Sequence, residues 1–462
     1  MGETVGLDGG DAVPEILDLH STLPTQVGVV GSREEIIDPK TTLDTSGVIH
    51  FEIASSHNEM IDAYNTMILI ESKIVNADGT DIPAINPLPA GGPNPNNKVI
   101  AVNGLSHAWM KGCEVKLNGT QIAPNDGNYA TRADLDIRLG YPKETKEGSL
   151  EICGFNEEHT AFDNIADGDM GWEDPPASAH PQLMKRWLRG QNSKTIYTMG
   201  HIHSEIFEQP KPLPPGTRLS LYFTKQHKNE LLYMTKLALD FKVVMLRCRL
   251  LTRIITVDPD ILTEMNHVSY LGRPMQYPIR RVEITVATKQ QNVTDFSETS
   301  ILKEGNILPR RLFIGFVRQP AFFGDRSYDP FNYAECNIRQ ACLRLGGQIL
   351  PYAEINCNAE NGNVLEPLTC LLKATGTLFT DQDLGINLSN FARRNFILGY
   401  DLTHSQMAAG QSYELPEVKS SGLSVSLFRS HTYAHTMVVY AEYDAELEID
   451  SVGNVKKKDF AV

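Results

Sequence analysis

Two stretches of this 462-residue chain resemble each other at a separation of about half its length. Val115–Pro124 reads VKLNGTQIAP and Leu343–Pro351 reads LRLGGQILP, so both contain a strand-like run, a glycine turn, Gln-Ile and then proline. A second similar pair, Thr217–Phe223 and Gly422–Phe428, follows in the same order. Similar segments in a shared order indicate an internal duplication. The sequence therefore predicts two similar units of roughly 200 residues each.

Apolar residues alternate with polar ones in both halves, which is typical of β-strands with one buried face. Runs of this kind, or continuous apolar runs typical of buried strands, are Thr66–Val75, Thr217–Phe223, Phe241–Thr256, Arg281–Ala287, Arg311–Val317 and Val439–Asp450. The 35 glycines and 26 prolines are spread along the chain, which favours short elements joined by turns. The predicted fold class is all-β: two tandem β-sandwiches with long loop insertions and short helices.

Three local predictions are specific enough to be checked. Cys113–Ile122 should form a hairpin about Asn118-Gly119, a preferred type I′ turn pair. In the strand Phe241–Thr256, one face should carry Val244, Leu246, Cys248 and Leu250, and the other Arg247 and Arg249. The last strand should have a buried face and a wet face. The predicted wet face consists of Tyr440, Glu442, Asp444, Glu446, Glu448 and Asp450.

The pattern divides the chain into five parts. We expect an N-terminal extended arm (1–47), a first sandwich (48–258), a linker (259–274), a second sandwich (275–450) and a C-terminal tail (451–462). The loops at 83–97 and 141–193 are the longest, and the second should contain a short helix, Pro181–Leu188. Lys456–Lys458 is the one basic run, and we interpret it as a frayed, solvated tail.

Composition excludes several classes of function. The net charge of −15 disfavours bulk contact with nucleic acid, so no sequence-specific nucleic-acid binding is expected. The seven cysteines are odd in number and form no C-x-x-C, so neither a disulfide framework nor a zinc ribbon is indicated. We expect no signal peptide and no membrane span, because the N-terminus is polar and no stretch of 18 apolar residues occurs.

Several motifs together resemble a known family of viral proteins. They are Val115–Gly119, Gly200–Phe207, Arg311–Val317, Asp329–Tyr333, Gly399–Thr403 and Val438–Asp444. The chain is similar, over roughly residues 42 to 450, to double jelly-roll, hexon-like major capsid proteins of Polinton (Maverick)- and adintovirus-like DNA viruses. The resemblance implies a structural protein of the virion capsid that forms homotrimers of pseudo-sixfold outline. These would assemble into an icosahedral shell inside the host cell, in the nucleus or the cytoplasm. Penton and minor capsid proteins are further implied partners.

One constellation suggests an alternative. His201, His203 and Glu208, followed by Pro214-Pro215-Gly216, resemble the first metal-binding motif of cupins, which are also jelly rolls. Two histidines at i and i+2 on a strand project to one face and suit metal ligation. However, Thr195 stands where the motif has glycine, and Arg218 and Leu219 occupy the region of the second motif's histidine. We therefore predict no metal site, no cofactor and no catalytic residue. A cupin-like metal-binding enzyme and a host-captured jelly-roll binding module remain the alternatives to a capsid subunit.

Two further groups of residues have structural interpretations. The arginine pairs 280–281, 310–311 and 393–394 are expected to form strand-end or interface salt bridges. Phe322, Phe323, Tyr328, Phe331 and Tyr333 form an aromatic cluster that we assign to a core or a subunit interface. No nucleotide-binding glycine motif and no G-x-S-x-G nucleophile motif occurs in the sequence.

Overall fold

The computed structural model describes residues 6–7, 11–12, 26–43, 46–83, 99–157, 180–234, 240–289, 295–298, 301–302, 307–345, 348–358, 362–410, 423–429 and 434–459. The strands are β1 (Gly6–Leu7), β2 (Asp11–Ala12), β3 (Val29–Ile37), β4 (Val48–Ala54), β5 (Glu59–Asn76), β6 (Val99–Ala101), β7 (Met110–Leu117), β8 (Thr120–Ala123), β9 (Ile196–His201), β10 (Arg218–Lys225), β11 (Leu232–Met234), β12 (Phe241–Val257), β13 (Met275–Lys289), β14 (Asp295–Glu298), β15 (Arg311–Arg318), β16 (Ile338–Leu345), β17 (Gln348–Asn356), β18 (Ile397–Asp401), β19 (Leu423–Arg429), β20 (His435–Ile449) and β21 (Val455–Asp459). The helices are α1 (Leu105–Ala108), α2 (Tyr129–Gly140), α3 (Lys143–Glu147), α4 (Pro181–Gly190), α5 (Pro259–Tyr270), α6 (Gln319–Phe322), α7 (Leu365–Thr375) and α8 (Leu388–Arg394).

The first half of the chain forms two four-stranded antiparallel sheets. Their strand orders are β3-β12-β5-β9 and β4-β10-β7-β8. Apart from the β7–β8 hairpin, consecutive strands of these sheets alternate between the two, and the last long strand returns to lie beside the first, which is the topology of a jelly roll. We call this unit roll 1.

The second half repeats the plan strand for strand. Its sheets have the orders β13-β20-β15-β18, with β21 added beside β20, and β14-β19-β16-β17. Each strand of this second unit, roll 2, except β21 therefore has a counterpart in roll 1. The matching hairpins of the sequence repeat, β7–β8 and β16–β17, occupy equivalent positions. The predicted duplication and the predicted all-β fold are confirmed.

The predicted hairpin turn is confirmed in detail. Asn118 and Gly119 connect β7 to β8, and both have positive φ, 50° and 85°. A type I′ turn requires positive φ at both central residues, which asparagine and glycine tolerate best. The predicted short helix is confirmed as α4, which has proline in its first turn.

Alternation predicted the core faces correctly where the ladder is regular. In β10, Leu219, Leu221 and Phe223 are fully buried. In β12 the prediction is only half right, because the register against β5 shifts between Met245 and Arg247. This β-bulge exchanges the two faces. Cys248 and Leu250 are buried as predicted, but Val243 and Met245 take the core positions before the bulge. Val244 is half-buried and Leu246 exposed there.

Both predicted ends of the domain plan need correction. The expected arm (1–47) contains β3, which pairs with β12 along Val29–Ile37 and is the edge strand of roll 1. Its mixed polar pattern, VVGSREEII, hid it from period analysis because neither face is buried. At the other end, Lys456–Lys458 lies in β21 and pairs with β20. Lys458 forms an ion pair with Glu448, so this part of the tail is not frayed.

The region between the rolls is a helix. Strand β12 ends at Val257, α5 follows, and β13 begins at Met275. The carboxylate of Asp258 accepts a hydrogen bond of 2.9 Å from the backbone N–H of Asp260 and caps the helix. That residues 259–274 link two independently folding domains stays a prediction.

The long loops are described only in part. Of the loop at 83–97, all but Pro83 lies outside the described residues, and so do 158–179 of the loop at 141–193. The insertion that contains this second loop begins earlier than predicted, because α2 starts at Tyr129. Among the described residues, no helix is both long and apolar enough to cross a membrane.

Candidate functional site

The predicted wet face of β20 is wrong. Glu442, Asp444 and Glu448 are buried, as is Tyr440, and Glu446 and Asp450 are half-buried. Buried carboxylates need compensating partners, which are arginines for Glu442 and Asp444 and Lys458 for Glu448. Asp444 binds Arg310 at 2.8 Å, and Glu442 accepts a 3.0 Å hydrogen bond from Nε of Arg311. The expectation that the arginine pairs 280–281 and 310–311 form salt bridges is confirmed.

A helix of roll 1 covers part of this polar face. Helix α2 follows β8 and carries the sequence YATRADLDIRLG. Charged pairs at i and i+4 support it: Arg132 with Asp136 at 3.6 Å and Asp134 with Arg138 at 2.6 Å. The helix ends at Gly140, after which the backbone is extended.

The apolar residues of α2 are built into the core of roll 2. Leu135 and Leu139 belong to the same buried cluster as Val282 and Ile284 of β13. Roll 1 thus completes the packing of roll 2. We refer to α2, with the residues that it contacts in β13, β20 and 383–395, as the inter-roll contact.

Arg138 is a fully buried charge of the inter-roll contact, with an exposed fraction of 0%. Nε donates to Asp134 at 2.6 Å, and Nη1 donates to Glu157 at 2.8 Å and to Oδ1 of Asn395 at 2.6 Å. Nη2 donates to the carbonyl of Phe331 at 3.2 Å. Burial disfavours the charged guanidinium, but the two carboxylates outweigh it and raise the pKa of Arg138. Because Asn395 and Phe331 belong to roll 2, this side chain ties the rolls together.

A second buried arginine on α2 holds three carboxylates. Arg132 lies 3.2 Å from Glu205, 3.3 Å from Glu208 and 3.6 Å from Asp136. Partial burial raises the pKa of Glu208, whose side chain is 32% exposed, despite the nearby guanidinium. Arg132 therefore supplies the positive charge around which this cluster is organised.

Asp136 joins this cluster to roll 2. It accepts a 2.7 Å hydrogen bond from the hydroxyl of Tyr440 and lies 3.1 Å from Nδ1 of His203. Burial pushes the pKa of Asp136 upward, but the bonds to His203 and Tyr440 and the charge of Arg132 hold it below the ordinary value.

Three histidine rings lie together beside Asp136. The ring of His203 is 4.8 Å from that of His107 and 6.0 Å from that of His201, centroid to centroid. Burial lowers the pKa of His201 to about 4 and that of His107 well below its ordinary value, and each effect is strengthened by His203. These two rings are thus held neutral at pH 7.

A cavity of about 600 Å³ opens beside the cluster, between the rolls. Its wall includes Tyr64, His201 and Glu208 from roll 1 and Arg311 and Glu442 from roll 2. Both acidic and basic side chains line it, so it carries no large excess of one sign that would select a charged ligand.

The donor atoms of Asp136, His203 and Glu208 lie within 4.8 Å of one another, a spacing that a metal ion can bridge. The third ligand of the cupin-like set, His201, is not part of this group. Arg132 already pairs with both carboxylates, and its fixed positive charge would oppose a divalent cation there. The residues therefore fit a self-compensated salt-bridge cluster better than a metal centre, and the expected lack of a metal stays a prediction.

Sequence reasoning found only part of this site. It singled out His203 and Glu208, which the structure brings together, and His201, which lies on the cavity wall. It missed Asp136 and Arg138, although their i,i+4 partners on α2 were a readable signal. The predicted aromatic cluster is split, since Tyr333 and Phe331 are buried but Phe323 is exposed.

The two rolls differ in how their first strands are covered. In roll 2, β13 is buried or half-buried at most positions, against roll 1. Its counterpart in roll 1, β3, is exposed along nearly its whole length. Val30 and Ile36 of β3 are 66% and 60% exposed. The surface that covers β13 inside the chain therefore has no equivalent over β3 among the described residues.

Sequence comparison finds a distant relative that covers most of the chain. No protein-family model matches the chain. An uncharacterised protein of Caenorhabditis elegans is 22% identical over 438 residues, covering 93% of this chain and 98% of that protein.

Solved structures match over nearly the whole length. A chain of the Sputnik virophage superposes with a TM-score of 0.68 at 12% identity, covering 99% of this chain and 94% of that one. The mavirus major capsid protein gives 0.55 at 10% identity, covering 99% and 97%. The Faustovirus major capsid protein gives 0.55 at 10% identity, covering 96% and 92%. The predicted resemblance to double jelly-roll major capsid proteins is confirmed at the level of the fold.

Proposed function

We propose that this chain is a viral major capsid protein that self-assembles into trimeric, pseudo-hexagonal capsomers of an icosahedral shell. The observation that carries the proposal is the unequal covering of β13 and β3. The rolls are built alike, yet within the described part of the chain only β13 is packed against a neighbouring roll.

Repeating the inter-roll contact between chains removes this inequality. If roll 2 of one copy covered β3 of the next copy as roll 1 covers β13, every roll would have the same two neighbours. Such a head-to-tail contact either closes into a ring or continues as a filament. Three two-roll chains give a closed ring of six similar sandwiches, and a ring with this outline can tile a hexagonal lattice.

The chemistry of β3 suits burial against another protein. Its exposed apolar side chains, Val29, Val30 and Ile36, lie near the two ends of this edge strand, with charged residues between them. Exposed edges and apolar patches are normally covered, because they otherwise promote nonspecific association. A permanent interface of this type should bury more than about 2,000 Å².

This function requires no catalysis. The buried charges of the inter-roll contact are paired with one another, which suits a structural role. We propose the virion capsid as the location, with assembly inside the host cell, in the nucleus or the cytoplasm. The proposed partners are other copies of the chain, then penton and minor capsid proteins.

Oligomeric state tests the proposal directly. Analytical ultracentrifugation of the purified chain should show a trimer at micromolar concentration, and electron microscopy should show a six-lobed particle. A Val30→Glu/Ile36→Glu variant should sediment as a monomer with unchanged circular dichroism. Val452→Glu, at an exposed turn residue outside β3, is the matched control and should remain trimeric. A wild-type chain that stays monomeric would contradict the proposal.

A further inference from the structure

The segment after α2 makes backbone-defined contacts with roll 2. The N–H of Lys143 donates to the carbonyl of Asp383 at 2.7 Å. The ammonium of Lys146 donates to the carbonyl of Leu384 at 3.0 Å. Both partners lie in the loop that follows α7. Inside one chain, therefore, α3, which follows the inserted helix α2 of roll 1, packs on the loop after the inserted helix α7 of roll 2.

The two inserted helices are counterparts. Helix α2 lies between β8 and β9, and α7 lies between the equivalent strands β17 and β18. Counting from the helix ends at Gly140 and Thr375, Lys143 corresponds to Leu378. By the same count, Asp383 corresponds to Gly148, just before the 3-10 turn Ser149–Cys153.

An uncovered apolar side chain lies near each counterpart position, one residue after Leu378 and four residues after Gly148. Phe379 is 96% exposed and has φ of 59°, a left-handed conformation that is costly for a bulky residue. Ile152, in the Ser149–Cys153 turn, is 59% exposed. A strained backbone that holds an aromatic ring in solvent is typical of a residue that contacts a binding partner.

We propose that Phe379 of one copy packs on the Ser149–Cys153 turn of the next copy, against Ile152, and anchors the contact between chains. This inference rests on the proposed ring assembly and names the residues that form the interface between its chains. The partner is a second copy of this chain, because the contact repeats between chains what Lys143 and Asp383 do within one.

Site-directed cross-linking tests the pairing. In the full chain, Phe379→Cys/Ile152→Cys should give covalent dimers and trimers with a short bismaleimide, resolved on a denaturing gel. Each single cysteine variant should give none, and neither should Phe379→Cys/Val452→Cys. Six of the native cysteines are buried and Cys370 is half-buried, so a parent chain with Cys370→Ser lowers the background.

A second measurement separates this inference from the ring proposal. Phe379→Ser should raise the trimer dissociation constant at least tenfold, while Phe323→Ser, at another exposed phenylalanine, should leave it unchanged. If the wild-type chain is trimeric but neither cross-linking nor Phe379→Ser shows an effect, the anchor is wrong and the ring stands. If the wild type is monomeric, the ring proposal itself fails.

Discussion

Replacing Arg138 by methionine should destabilise the chain strongly, because it removes the charge that holds the inter-roll contact together. Methionine retains much of the side-chain volume but none of the four hydrogen bonds to Asp134, Glu157, Asn395 and the Phe331 carbonyl. Two carboxylates then remain buried without their cation. Breaking a buried ion pair from one side costs about 3–5 kcal/mol.

Protonation limits the part of this cost that comes from each carboxylate, and it gives the cost a pH signature. Asp134 has an ordinary pKa of 3.8, and burial already raises it in the native chain. Without Arg138 it can be neutralised, which at pH 7 costs about 4 kcal/mol and at pH 5 less than about 2 kcal/mol. The destabilisation by Arg138→Met should therefore shrink as the pH falls. Adding Asp134→Asn and Glu157→Gln should recover part of it.

Urea unfolding followed by circular dichroism and by fluorescence measures this effect. The control is Arg247→Met, which removes a half-exposed arginine 3.4 Å from Glu71 and should cost less than about 1 kcal/mol. If Arg138→Met costs no more than this control, or if its cost is the same at pH 5 and pH 7, the reasoning from buried charge is refuted.

Four other outcomes are expected. Limited proteolysis should cut near Tyr270 and Leu271, which are 76% and 70% exposed at the end of α5. The two fragments should then co-elute in gel filtration. Cleavage that begins within a sheet would contradict the proposed boundary. Burial lowers the pKa of His201 from 6.5 to about 4, so its contribution to stability is present above about pH 6.5 and lost toward pH 4, by at most about 3 kcal/mol. In His201→Asn, urea midpoints should fall less between pH 7 and pH 4.5 than in the wild type. Elemental analysis should find no stoichiometric Fe, Mn or Zn, and metal lost on His201→Ala/His203→Ala would overturn this. Removing residues 1–25 should weaken lattice formation more than folding, whereas removing 1–40 also deletes β3 and should lower the unfolding midpoint.

The sequence predicted those parts of the fold that local pattern determines. The Asn118-Gly119 turn, the alternation in β10 and the repeated hairpin depend on neighbouring residues, so each could be predicted from the sequence. The faces of β12 depend on a bulge against β5, and no local signal marks it. Strand β3 lacks a buried face and so lacks a pattern, although its backbone pairs with β12. In each of these failures, the deciding interaction joins residues far apart in the chain.

The face of β20 shows why a two-roll chain is difficult to interpret from period alone. Alternation identified its two faces correctly, but it assigned the polar one to solvent. Glu442 and Asp444 are buried because other parts of the chain bring arginines to them and because α2 of roll 1 covers the neighbouring Tyr440. A polar face thus indicates partners of opposite charge as readily as water. The same reasoning applies to β3, where Arg33 pairs with Glu59 of its own chain and Glu34 is exposed. If the ring forms, a basic residue of the next copy should pair with Glu34, and exchanging Glu34 for Lys should weaken trimers without unfolding roll 1.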